Sequence, residues 1–131
     1  MTTDDLTAAL RACAAGLYPL EAGTALLISN GTFLRRPDFT NRFIDQGTSG
    51  GIPMAAVDWD GAIDALKAGE LPCSAGERRI LMLSASLASG ILVDFGDAAS
   101  GLDDENTRRL VAAVWHASGK RPGTADIDDH S

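Results

Sequence analysis

Residues 74–90 read SAGERRILMLSASLASG, and the fold turns on this stretch. Ser74 and Glu77 form the pattern S-x-x-E, in which the Ser hydroxyl accepts from the third helical amide and the Glu carboxylate accepts from the cap's own amide. Ile80, Leu83 and Leu87 then recur at helical spacing, while Leu81, Met82, Ala85 and Ala88 carry the apolar surface round most of the circumference. A helix that is apolar nearly all round must be covered on nearly all sides. The spacing therefore predicts a helix over residues 75–89 at the centre of a compact all-α bundle of about five helices, a single domain filling residues 1–119.

The remaining helices follow from the same periodicity. Leu6, Leu10, Cys13 and Leu17 fall on one face of a first helix, capped by Thr2 and Asp5 and stopped by Gly16 and Pro19, with Cys13 in the core. An Ala- and Leu-rich run over residues 20–30 gives a second helix. PDFTNRFIDQG, residues 37–47, gives a short third with Phe39 and Phe43 four apart. Trp59, Ala62, Ile63 and Leu66 make an i, i+3, i+4, i+7 stripe behind an Asp58 cap. Asp103 opens a last helix bearing Leu110, Val111, Val114 and Trp115, ended by Gly119, and the polar residues 120–131 read as a disordered tail. GTSGGIP, residues 47–53, is a glycine-rich break read as a loop. ILVDF, residues 91–95, fits either a short strand or an extended connection.

Composition removes several functional classes. The 131 residues suffice for one domain with its own core. No apolar run approaches the roughly 20 residues of a membrane span, and the acidic N-terminus lacks a secretory signal pattern, so a cytoplasmic protein is expected. Two cysteines cannot build a disulfide framework or a four-thiolate metal site. A net charge of −7 with 5% aromatic residues argues against broad nucleic-acid binding, leaving only a local basic patch. No cofactor motif and no metal-ligand pattern is present.

Two stretches resemble pieces of the ABC-type ATPases. LPCSAGERRIL, residues 71–81, resembles their signature loop, and SGLDDEN, residues 100–106, their D-loop. The resemblance would imply nucleotide handling, but Phe95 follows Asp94 where that family has its catalytic Glu, and no G-x-x-x-x-G-K-[ST] phosphate cradle occurs. Helix starts account for the same letters: a capping box at Ser74 and Glu77, and an Asp103 cap followed by Asp104 and Glu105 in a first turn. DFG at residues 94–96 lacks every other element of a kinase. The segment from Asp94 also fails the calcium-loop pattern, because Gly96 and Ala98 stand where ligands should be.

A few polar and apolar residues remain as functional candidates. Cys73 precedes a helix N-terminus whose dipole could stabilise a thiolate, with His116 as a conceivable partner, which would make a thiol-dependent or small-ligand role. Arg78 and Arg79 sit at a helix start with no acid four residues away, so either another helix supplies one or an anion is held there with the amides around Ala75 and Gly76. Arg35 and Arg36 could make a local nucleic-acid or anion contact. Ile52 and Met54, in the glycine-rich loop, could join Phe39 or Phe43 in an exposed patch rimmed by Arg35 and Arg36. By elimination the leading expectation is a non-enzymatic protein-interaction or regulatory module with a protein partner or a second copy of itself. A nucleic-acid-associated or anion-binding role comes next, and the Cys73 role third.

Overall fold

In the computed structural model, which describes residues 2–119, helices α1 (Thr3–Ala14) and α2 (Tyr18–Asn30) lead into a 3-10 turn, Phe33–Arg35, and the short α3 (Pro37–Phe43). A β-hairpin follows, β1 (Ile44–Ser49) and β2 (Ile52–Val57), then α4 (Trp59–Lys67), α5 (Ala75–Ser89), α6 (Phe95–Ser100) and α7 (Asp104–Ala117). The protein is thus mostly helical, with seven helices and a two-stranded sheet among the described residues, rather than a five-helix all-α bundle. No helix among those residues is long and apolar enough to cross a membrane. The expected tail at 120–131 lies outside the described residues.

The caps act as the sequence implies. Ser74 and Glu77 exchange both bonds of a capping box at α5, as Thr2 and Asp5 do at α1. The carboxylates of Asp58, Asp94 and Asp103 each accept a backbone N–H at the start of α4, α6 and α7. Asp94 of the DFG triplet is therefore a helix cap, and residues 91–94 form an extended connection, not a strand.

Three local readings are corrected. GTSGGIP is the tip of the hairpin: Gly50 and Gly51 have φ of 57° and 81°, which a two-residue turn matching the strand twist requires and only glycine adopts cheaply. Pro19 does not stop α1 but sits in the first turn of α2, where its missing N–H costs nothing, and Leu17 is the exposed residue before that helix. Cys13 is exposed rather than in the core, because α1 buries only the stripe Leu6, Ala9, Leu10 and Ala14.

Helix α5 lies at the centre, but it shares that position with α2. Leu81 and Ala85 of α5 with Leu27 of α2 belong to one core, built with α1, α3, α4 and the hairpin. Ile80 and Leu83 of α5 with Ala22 and Leu26 of α2 belong to a second, closed by Ala98, Leu110 and Ala113 of α6 and α7. Gly23 lets the two central helices touch: a Cβ there would lie 2.6 Å from Ala88 Cβ and closer still to the Ser84 carbonyl oxygen. Phe33, Phe39 and Phe43 stack at 5.1 and 5.4 Å in the first core.

Candidate functional site

The interaction surface expected around the hairpin is taken apart by burial. Phe39 and Phe43 are 0% and 5% exposed, so neither can meet a partner, because α3 turns its Phe face to the core. Ile52 is exposed near the hairpin tip, and Met54 is half-buried. Arg36 is occupied: Nε and Nη2 donate to the two oxygens of Asp38, Nη1 donates to the Pro72 carbonyl at 2.6 Å, and the guanidinium lies 5.7 Å from the Phe33 ring centre. Arg35 is exposed.

Cys73 is half-buried beside Glu77, Arg36 and Arg78, and burial first, then the Glu77 carboxylate, pushes its thiol pKa up. A raised pKa lowers the thiolate population on which nucleophilic attack depends. His116 is engaged elsewhere, as described below. Arg78 and Arg79 of α5 reach the Leu66 and Gly101 carbonyls at 3.5 Å, and with Ala75 they line a cleft of about 140 Å³ opposite Asp94 and Asp97. Two carboxylates in the same cleft oppose an anion there. Arg109 and Arg108 of α7 both lie within ion-pair distance of Glu105.

The arrangement that gathers chemically capable side chains lies on the far face of α2, between α1 and α7. Helices α2 and α7 run antiparallel and are clasped at both ends. At one end the buried Asn106 accepts from Asn30 Nδ2 at 3.2 Å and from Arg109 Nη1 at 2.8 Å. At the other, His116 Nε2 lies 2.7 Å from Glu21 Oε1, and since an ionised carboxylate only accepts, the imidazole donates. The second oxygen of Glu21 accepts from the Gly16 amide at 2.7 Å. These bonds, the Gly16 amide foremost and His116 next, hold the Glu21 carboxyl below the ordinary carboxylate range. Tyr18 meets the imidazole edge-on at 5.9 Å. An acid in the first turn of α2 and an imidazole in the last turn of α7 each also suit their helix dipole.

Above these clasps two clefts of about 230 and 410 Å³ share Arg11, Ala25 and His116 as walls and form one trough. Its floor is small and apolar, with Ala25, Leu26 and Ala113, and its rim carries Arg11, Arg109, His116 and the Glu21 carboxylate. Arg11 has no hydrogen-bond or ion-pair partner among the described residues, unlike Arg36 and Arg109. Arg109 is paired with Glu105 and His116 with Glu21, so the positive charge left without a partner at the trough, among the described residues, is that of Arg11. Among the described residues, the hydrogen bond of the His116 imidazole goes to Glu21 and not to a Ser hydroxyl or Cys thiol. No group of three His, Cys, Asp or Glu side chains capable of holding a metal occurs among the described residues.

Sequence reasoning missed this site because its members are scattered. Glu21 and His116 are 95 residues apart, and each is explained locally by its helix end. No known family matches the chain, and neither the curated proteins nor the solved structures contain a significant match to it.

Proposed function

We propose that the protein is a non-enzymatic interaction module that receives an acidic, partly apolar segment of a partner protein in the trough between α1, α2 and α7. One observation carries this reading: in a chain of net charge −7, Arg11 has no partner among the described residues and stands over an alanine-lined floor beside Arg109 and His116, each held by its own acid. An acidic protein that keeps an unpaired cation at the rim of an apolar groove has the charge pattern that favours an anionic partner and disfavours a basic one. From Glu21 to Ser29 the floor helix advances about 12 Å, room for roughly four extended residues at about 3.3 Å each. The small side chains of Ala25, Ala112 and Ala113 let a partner backbone come close.

The test places a photocrosslinking residue at Ala112, inside the trough, and in a separate variant at Thr48, on the hairpin, in the native cell. Adducts are expected from position 112 and not from 48, their crosslinked peptide rich in Asp or Glu, and Arg11→Gln is expected to reduce them severalfold while the melting midpoint falls only slightly, by the loss of a cation from the last turn of α1. Adducts undiminished in Arg11→Gln, or whose crosslinked segment is basic or nucleic acid, would overturn the reading.

A further inference from the structure

The trough begins where the chain leaves α7. Gly119, just beyond that helix, has a φ of 86°, and a Cβ there would lie 3.4 Å from the Tyr18 ring. Tyr18, Glu21, Ala25 and Ser29 recur at i, i+3, i+7 and i+11 and so share one face of α2. The last three line the trough, and the exposed Tyr18 stands at its head beside His116. The residues that follow Gly119 therefore start at one end of the trough.

The order of charge in those residues matches the order of charge along the trough. Lys120 and Arg121 come first, then Pro122 and Gly123, then Thr124, Ala125, Asp126, Ile127, Asp128 and Asp129. Glu21 stands at the head of the trough, Arg11 borders both of its halves, and Arg109 stands at the far end. The segment thus brings cations to the acidic head and acids to Arg11 beyond it, which is complementary in both places. Successive side chains of an extended segment point to opposite sides. With Ile127 down on the floor of Ala25, Leu26 and Ala113, Asp126 and Asp128 point back to the rim that carries Arg11. The reach is sufficient as well. Pro followed by Gly is the central pair that a type II turn favours, and such a turn reverses the chain. From His116 back to Arg109 helix α7 advances about 10 Å, whereas the six residues 124–129 span about 20 Å when extended.

We propose that residues 124–129 of this same chain occupy the trough, with Ile127 on the alanine floor and Asp126 and Asp128 facing Arg11, so that a partner must displace them. This rests on the reading of the trough as the receiver of an acidic, partly apolar segment, and it names one such segment. A tethered segment competes at a roughly millimolar effective concentration, so contacts too weak to hold a free peptide suffice. Apparent affinity for a partner is then reduced to the fraction of molecules whose trough is open.

The experiment uses the purified full chain with a photocrosslinking residue at Ala112, in the trough, or at the exposed Val111, the next residue of α7 but outside it. Peptide mass spectrometry is expected to find an internal crosslink to residues 124–129 from position 112 and not from 111. Asp126→Asn with Asp128→Asn, and separately Arg11→Gln, are each expected to weaken it severalfold. Combining all three substitutions should weaken it no further, because both sets remove the same ion pair. In the native cell, Asp126→Asn with Asp128→Asn is expected at least to double the partner adducts formed from position 112. Internal crosslinks equally strong from position 111, undiminished by either set of substitutions, or replaced by crosslinks between two chains would overturn the inference, as would partner adducts that do not rise. Partner adducts at position 112 without any internal crosslink would overturn it while leaving the trough reading in place. An internal crosslink at position 112 with no partner adducts in either protein would support it and overturn the partner.

Discussion

The two faces of α2 differ more than any other pair of surfaces in the protein. On the face toward α5, Gly23 brings two backbones together so closely that even a methyl group has no space. One residue later, Thr24 borders two open clefts, and Ala25 forms part of the trough floor. Both faces are built from small residues. What separates them is the neighbour: α5 lies across one face, whereas α1 and α7 only flank the other and leave a gap between them. Small side chains are thus a means of close packing where a helix covers them and a means of making room where none does.

The largest test of this contrast is Gly23→Ala. The added Cβ meets backbone atoms of α5 that cannot rotate away, so the helices must separate, and urea unfolding should show a loss of about 3 kcal/mol. A loss below about 0.5 kcal/mol would show that the two faces are equally loose.

A middle-sized effect is expected on the open face from Glu21→Gln. The folded-state pKa of Glu21 is depressed, so its contribution is fully present above the ordinary carboxylate range and is lost as pH falls through the folded value. At pH 7 the variant should be about 1 kcal/mol less stable, a charge-assisted bond having become a neutral one. The gap should narrow as pH falls below the ordinary carboxylate range and close once the depressed folded value is passed. Asp5, Asp38 and Glu77, whose carboxyls are also depressed, remain in both proteins and cancel from the difference. A gap that stays constant down to pH 3 would mean that Glu21 and His116 do not clasp the helices in solution.

The smallest effect returns to the sealed face. Ser84, fully buried on α5 where it crosses α2, has a hydroxyl with no partner among the described residues. Ser84→Ala should therefore leave the unfolding midpoint unchanged or raise stability by up to about 1 kcal/mol, since a desolvated orphan group is removed. A marked loss would reveal a hydrogen bond across that interface.

Much of the helical framework was legible because its signals are local. The capping pairs Thr2 with Asp5 and Ser74 with Glu77, and the Asp58 and Asp103 caps, act within four residues, and sequence spacing fixes which amide each can reach. The errors arose where a local signal has two meanings. Two adjacent glycines mark a loop or a tight hairpin turn, a proline stops one helix or starts the next, and paired phenylalanines suit a core as well as a patch. The hairpin decided the first of these through a register that pairs Ile44 with Val57 at one end and Ser49 with Ile52 at the other.

The sequence by itself determined the helix starts, the apolar centre on α5 and the acidic balance of the surface, because each depends on residue type and near spacing. The tertiary structure alone decided that α2 shares the centre, that Cys13 faces outward beside a cleft, that Arg36 is occupied while Arg11 has no partner among the described residues, and that Glu21 meets His116. The physical reason is range: caps and periodicity act over one or two helical turns, whereas an unpaired guanidinium or an unpartnered hydroxyl is defined by what a distant segment fails to bring within about 3 Å of it.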